Sequence, residues 1–364
     1  MKYTYSLAIA LFVLISCKKE DKVSEQIIDR SNTDWEFYSL KGNVKSISLK
    51  SNEIDKTNLD ANIIKHEIST EHNKDLEFNE VGMLVLEKKQ NSSGGPYEQT
   101  KYNGQNKKLE KIQYINNEPG IKTVFEWNES GENNTSITRR NPDNSQIDRK
   151  VLKYEAGKLA EKLTFNRQDK LVDKVTYVYD DNGNLTGENL YLNNDKVVVK
   201  NAYKYNENNQ KVSYTRYDKN SEILFNTQYE YKGDNLILEE TRGKEGEVEY
   251  SRKMTYDDNG NMLSKISYDS YDDSETIEKF VYDGKGNKVT WDVQKNGEPF
   301  LKINYTYNEN GDVTGVRTYN NIGKAIEERK YTYNYDKEGN WIKKSIYIDG
   351  ELKFVEQRDI TYYN

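Results

Sequence analysis

The sequence predicts an all-β protein: an elongated antiparallel β-hairpin repeat array, twisted or coiled into a curved sheet or partial shell. Three observations carry this expectation. An aromatic residue stands just ahead of a Gly/Asn/Asp turn at Phe78, Tyr102, Trp127, Tyr154, Tyr179, Tyr205, Tyr231, Tyr256, Tyr282, Tyr307 and Tyr335, at intervals of 24 to 28 residues. Between turns the segments alternate polar and apolar and are rich in Tyr and β-branched residues, with no stripe at helical spacing. Hydrophobic residues make up 34% of the chain, against about 45–50% in ordinary domains, and 30 residues are Tyr, so thin layers are expected rather than a thick aliphatic core.

Residues 1–16 read as a secretory signal: Lys2, an apolar run from Leu7 to Ile15 too short to span a bilayer, then Ser16. Leu14-Ile15-Ser16-Cys17 resembles the lipobox of bacterial lipoproteins, which makes Cys17, the single cysteine, the expected lipid attachment site. No thiol is then left for a disulfide, a metal or catalysis. Residues 17–34 are polar enough for a flexible tether, and Lys18-Lys19-Glu20-Asp21 resembles the export signal of lipoproteins sent to the outer face of the outer membrane. Residues 35–75, including "LKGNVKSISLK" and "IIKHEIST", keep strand alternation without the Tyr-x-Tyr turn and read as an N-terminal β cap.

Residues 76–364 hold the repeats, each an alternating segment, a turn, a second segment and a second turn. In "YTYNENGDV" a type I turn from Asn308 with Gly311 in the left-handed region pairs Asn308 with Asp312 and sets Tyr307 opposite Val313. Simple alternation from there predicts Tyr305, Tyr307, Val313 and Tyr319 on one face. The same register places Tyr177, Tyr179, Leu185 and Tyr191 together, and likewise Met254, Tyr256, Met262, Ile266 and Tyr268. Where the turn is one residue shorter, the apolar positions shift in step, to Leu236 and Leu238 after Tyr231 and to Leu159 and Phe165 after Tyr154.

At "YVYDDNGNL", "MTYDDNGNM", "FVYDGKGNK" and "YNYDKEGNW" the chain resembles the YD-repeat (Rhs-repeat) family, and the likeness covers roughly residues 76–364. Asn206, Asn308 and Lys232 replace the motif's Asp. The resemblance implies a curved antiparallel sheet and points to the short YD-repeat lipoproteins of the bacterial envelope, sometimes described as sugar-binding.

Candidate chemistry is sparse. His66 and His72 are the only histidines, and on a strand their even spacing would put both on one face; without further His or Cys, surface polar residues are the expected reading, and no metal is assigned. No Ser-His-acid or Cys-His constellation can be assembled. Acidic turns such as Asp180-Asp181-Asn182, Asp257-Asp258-Asn259 and Asp272-Asp273-Ser274 are explained by turn propensity, without the spaced ligands of a calcium loop. Trp341 follows the register onto the packed face. Val289, Trp291 and Val293 point opposite Tyr282 in the usual register: either that hairpin uses another loop and the aromatic is structural, the favoured reading since aromatic stripes in repeats are usually core, or a patch is exposed on the second face on which a sugar ring or partner could stack. The net charge is −7 with both signs interspersed, so nucleic acid is not an expected partner.

The sequence therefore points to a non-catalytic, surface-attached lipoprotein of the outer membrane that binds or scaffolds, with a glycan or an envelope protein as ligand, the membrane as anchor and no cofactor. A carbohydrate-active enzyme is the rival reading, and an envelope-assembly or toxin-neutralising partner a further one.

Overall fold

The computed structural model describes residues 30–364 apart from 56, 58, 60 and 193–195; Cys17 and the signal segment lie outside the described residues. Twenty-four strands, β1 to β24 in chain order, form a single meander in which each strand is antiparallel to the next. The sheet does not stop as a partial shell. β1 (Val44–Glu53) lies between β2 (Lys74–Phe78) and β24 (Glu351–Tyr362), pairing the latter from Val44–Tyr362 to Glu53–Phe354, so the sheet closes into a barrel. Closure removes both free edges, the usual liability of a long meander. Twenty-four strands at about 4.8 Å spacing give a perimeter of about 115 Å, far too wide for side chains to fill. The wall is accordingly one layer: the 42.6 kDa chain exposes 24287 Å², against about 15,000 Å² for a compact monomer of that mass.

The turns form as read from the sequence. Asn308 N–H donates to the Asp312 carbonyl at 2.9 Å, Gly311 N–H to the Asn308 carbonyl at 3.1 Å, and Gly311 has φ +85°. Tyr307 pairs Val313, Tyr179 pairs Leu185 and Tyr231 pairs Leu236. One residue further on, each ladder carries a bulge: Thr306 pairs Gly315, leaving Thr314 as the extra residue, and Val178 pairs Gly187, leaving Thr186. A bulge reverses the inside–outside parity of everything beyond it. Tyr319 therefore pairs Lys302, Tyr191 pairs Lys174, Tyr268 pairs Ser251, Ile266 pairs Lys253, Leu238 pairs Glu230 and Phe165 pairs Arg149. All six lie on the face opposite the Tyr-x-Tyr rings, not beside them as simple alternation predicts. The rings of the first strands keep one common surface, called here the tyrosine face.

Their hydroxyls have a specific use. Between β11 (Leu185–Leu192) and β12 (Val197–Tyr205) the ladder stops at Gly187–Ala202, and the Leu185 carbonyl beyond it accepts the Tyr205 hydroxyl at 2.8 Å. Tyr179 does the same to Leu159 at 3.0 Å, Tyr231 to Lys211 at 3.1 Å, Tyr256 to Leu236 at 2.9 Å and Tyr307 to Lys288 at 2.8 Å; the Trp127 Nε1–H donates to Lys108 at 2.8 Å. Neighbouring hairpins thus part near the turn, and the aromatic donor satisfies the carbonyl that the ladder leaves over.

The packed core sits at the seam where β1 meets β2 and β24. α1 (Asp34–Phe37), capped by Thr33 Oγ1 on the Glu36 N–H, seats Trp35 among Leu40, Val44, Ile47, Leu49, Leu76, Phe78 and Leu84. Trp35 is fully buried, its Nε1–H donates to the Val44 carbonyl at 2.7 Å, and a Cβ on Gly82 (φ +84°) would stand 2.5 Å from its ring. The segment "IIKHEIST" is not a strand. Residues Ala61–Glu67 form α2, and Ile63, Ile64 and Ile68, with Tyr331, cover Ile346, Ile348 and Phe354. Their spacing is that of one helical face, which the alternating reading missed.

Candidate functional site on the tyrosine face

The register brings a polar cluster onto the tyrosine face across β10 (Leu171–Tyr179), β11, β12 and β13 (Lys211–Tyr217), where Tyr177 stands opposite Glu188, Glu188 opposite Asn201, Asn201 opposite Arg216 and Tyr203 opposite Tyr214. The Tyr203 and Tyr214 rings stack at 5.1 Å and 18°, and Phe225 meets Tyr214 edge-on at 5.3 Å. Glu188 Oε2 accepts the Tyr203 hydroxyl at 2.8 Å and Asn201 Nδ2 at 3.0 Å, while the Tyr214 hydroxyl donates to Asn201 Oδ1 at 3.2 Å. Beside this network lies a hollow of about 370 Å³, lined by Tyr177, Asn201, the carboxylates Asp173 and Glu188, the cations Lys162 and Arg216, and the apolar Val175, Leu190, Leu192 and Val199. Burial, then the hydrogen bond to Glu188 and its charge, push the Tyr203 phenol well above its usual value; burial and Glu188 raise Tyr177 as well. Both are neutral hydrogen-bonding groups at physiological pH. The arrangement offers an aromatic platform beside a carboxylate, a carboxamide and a guanidinium, which suits a neutral polyol better than an anion. A larger hollow, of about 640 Å³, lies between Glu230 and Tyr256.

Glu188, Asn201, Tyr203, Tyr214 and Arg216 were not singled out from the sequence. The signal lay in "NAYKYNENNQKVSYTRY", where inserting the bulge after Lys211 brings Tyr214 across from Tyr203.

The sequence-derived candidates fare differently. Trp291 pairs Phe280 and Val293 pairs Glu278, so both lie on the tyrosine face, while Val289 is the extra residue of the bulge between Lys288 and Thr290. The three residues do not share the second face, and Trp291 follows the structural alternative, with its hairpin using a register other than simple alternation. Trp291 Nε1–H donates to Glu278 at 3.2 Å, and the Lys288 ammonium lies over the rings of Trp291, Phe280 and Tyr305. Trp341 packs on the seam core as expected, with the Arg358 guanidinium 3.5 Å over its ring; burial lowers that guanidinium to about 10. The acidic turns are occupied by their own backbones. Asp257 Oδ1 accepts the N–H groups of Asn259 at 2.9 Å and Asn261 at 2.8 Å, and its Oδ2 accepts Asn261 Nδ2 at 2.9 Å, which lowers its pKa; Asp180 and Asp283 are held the same way. His66 and His72 do not share a strand: one lies in the last turn of α2 and the other follows in the loop after it, and they meet nonetheless, with ring centroids 5.4 Å apart.

A family model described only as an uncharacterised protein matches residues 155–275, the stretch that includes the groove. No curated protein matches the chain. Among solved structures, a porin-like protein from Bacteroides uniformis ATCC 8492 is 12% identical at a TM-score of 0.25, over 62% of this chain and 96% of that one. A porin-like protein from Bacteroides vulgatus ATCC 8482 is 12% identical at 0.22, over 58% and 94%. TcdB2-TccC3 is 9% identical at 0.18, over 81% of this chain but 20% of its own. Likenesses this weak carry no argument about fold or activity. Among the described residues, no helix is long and apolar enough to cross a membrane.

Proposed function

We propose that this protein is a non-catalytic, lipid-anchored binding shell of the bacterial outer membrane, related to the YD-repeat lipoproteins, and that its ligand is a neutral glycan taken into the groove of the tyrosine face. The observation that supports this reading is a hollow lined by Tyr177, Glu188, Asn201 and Arg216, with the stacked Tyr203–Tyr214 pair hydrogen-bonded to its Glu188 and Asn201. The apolar face of a pyranose stacks on such rings while its hydroxyls exchange hydrogen bonds with the carboxylate and amide. Lipidation at Cys17, expected from Leu14-Ile15-Ser16-Cys17, would hold the shell to the membrane.

The test is a glycan-array screen of the full chain followed by calorimetry on the hits. Binding that falls at least tenfold in Tyr214→Ala and Asn201→Ala supports the assignment; binding unchanged by both, or silence across diverse neutral glycans, overturns it. Release of reducing ends from a bound glycan would favour the enzyme reading, and capture of one stoichiometric envelope protein insensitive to sugars would favour a protein ligand. For the anchor, Cys17→Ser is expected to move the chain from the membrane fraction to the soluble fraction and abolish incorporation of labelled palmitate.

A further inference from the structure

The two histidines of the chain, six residues apart in sequence, converge on buried carboxylates at the barrel seam. His66 lies in the last turn of α2, which Ile63, Ile64 and Ile68 hold against Ile346, Ile348 and Phe354. Two successive turns bring the chain back: Ser69 N–H donates to the His66 carbonyl at 3.0 Å and His72 N–H to the Ser69 carbonyl at 3.0 Å. Asn73 fixes this loop, its Nδ2 donating to the carbonyls of Ile68 and Ser69 and its Oδ1 accepting from the Ser51 N–H. The loop is therefore a built feature, tied to β1.

We propose that His66, Glu67 and His72 form a binding site for one divalent transition-metal ion of the zinc class. One ligand atom from each lies within 4.8 Å of the other two, and among the described residues no other group of three such side chains meets this condition. A tetrahedral zinc ion with bonds of about 2.0–2.1 Å needs ligand atoms about 3.4 Å apart. His66 Nδ1 already lies 3.4 Å from Glu67 Oε1, the spacing such an ion needs; the remaining movement falls to His66, whose side chain is 71% exposed, while Glu67 is 6% exposed and stays in place. His72 carries the outer support expected of a metal-ligating histidine. Its Nδ1 lies 2.9 Å from Oε1 of buried Glu356, which leaves Nε2 for the ion. Burial alone would raise the Glu356 pKa, but the His72 hydrogen bond and the charge of Lys344 outweigh it and the carboxyl sits below its ordinary value. Glu67 is held in turn by Arg329 Nη1 at 2.8 Å. Two imidazoles and one carboxylate leave a coordination position for water or a further ligand. Glu356 belongs to β24 and faces Ser51 of β1, so the ion would clamp α2 and its loop to the closing strand pair.

The inference is independent of the glycan reading and has its own readout. The full chain, stripped with chelator, is titrated with Zn²⁺ by calorimetry and with Co²⁺ by visible absorption. The site predicts one equivalent bound at micromolar or tighter Kd, Co²⁺ d–d bands of the intensity of four- or five-coordinate nitrogen–oxygen ligation, and a melting temperature several degrees higher with metal. His66→Gln changes an exposed side chain, leaves the metal-free melting temperature unchanged and is expected to weaken binding at least tenfold. His72→Gln is expected to do the same to binding while lowering the metal-free stability through Glu356. Absence of stoichiometric binding, or equal binding in His66→Gln, overturns the proposal; retained binding lost instead on Asp180→Asn or Asp257→Asn would assign it to the acidic turns and overturn it likewise.

Discussion

A tyrosine hydroxyl closes the gap between one hairpin and the next. Tyr205 could be replaced by Phe for packing on the tyrosine face, but the Leu185 carbonyl would then lose its donor. A hydrogen bond of this kind contributes about 0.5–1.5 kcal/mol net. Tyr205→Phe is expected to destabilise by about 1 kcal/mol in urea unfolding. Tyr217→Phe is the control: this ring lies on the opposite face across from Lys200, with no hydroxyl partner among the described residues, and its loss is expected to change stability by less than about 0.5 kcal/mol. Equal effects would mean that the rings act by packing alone. The abundance of Tyr over Phe, 30 against 9, thus has a backbone reason.

The hairpin turn sets geometry through its acidic first residue and its left-handed fourth. Gly311 has φ +85° and open space where a Cβ would stand, so Gly311→Ala tests backbone strain alone and is expected to cost about 1–2 kcal/mol. Gly311→Asn should cost less, because Asn209 and Asn144 already hold that conformation elsewhere in the chain. The acid adds a pH dependence of definite sign. Asp180, Asp257 and Asp283 have folded pKa values lowered first by the side-chain hydrogen bond from the Asn that closes the turn. The unfolded chain then binds more protons, so their stabilisation is complete above the unfolded value of about 3.9 and is lost as pH falls through the folded value. Asp257→Asn keeps the acceptor, as Asn308 does naturally, and is expected to match the parent at pH 7 and exceed it at pH 3 in thermal melts; a variant weaker at both pH values would show that the charge itself is needed. These turns were legible in the sequence because their residues are chosen by φ and by local acceptors. The bulge that follows was not, since Thr186, Val289 and Thr314 are ordinary strand residues whose displacement comes from the twist of the sheet. That single missed residue moved Tyr319 and Tyr191 to the wrong face, misplaced Trp291, and hid the Tyr203–Tyr214 pair. Helix α2 was missed for a different reason: Ile63, Ile64 and Ile68 fit a short helical face as well as a strand, and tertiary packing decides between them.

Stability across the barrel is uneven because one layer of Tyr-rich wall buries little while the seam buries much. The largest fully buried side chains, Trp35, Phe78, Phe354, Ile346 and Val44, all lie where the first and last strands meet. Closure therefore rests on a segment outside the repeat: α1 brings Trp35 under the turn at Gly82, where Trp35 N–H donates to the Gly82 carbonyl at 3.2 Å, and Asp34 Oδ2 accepts the Leu84 N–H at 2.6 Å. Removing the indole leaves a cavity in the larger of the two buried clusters among the described residues and is expected to cost about 3–5 kcal/mol. Because the rest of the meander pairs only with its neighbours, that loss should act locally and open the seam rather than melt the wall. Hydrogen exchange on Trp35→Ala is expected to show lost protection in β1, β2 and β24 with the strands of residues 197–269 unchanged, and the freed edges should produce concentration-dependent oligomers by size-exclusion chromatography. A uniform loss of protection around the ring would instead mean that the barrel unfolds as one cooperative unit, with the Tyr-to-carbonyl bonds transmitting the failure from hairpin to hairpin.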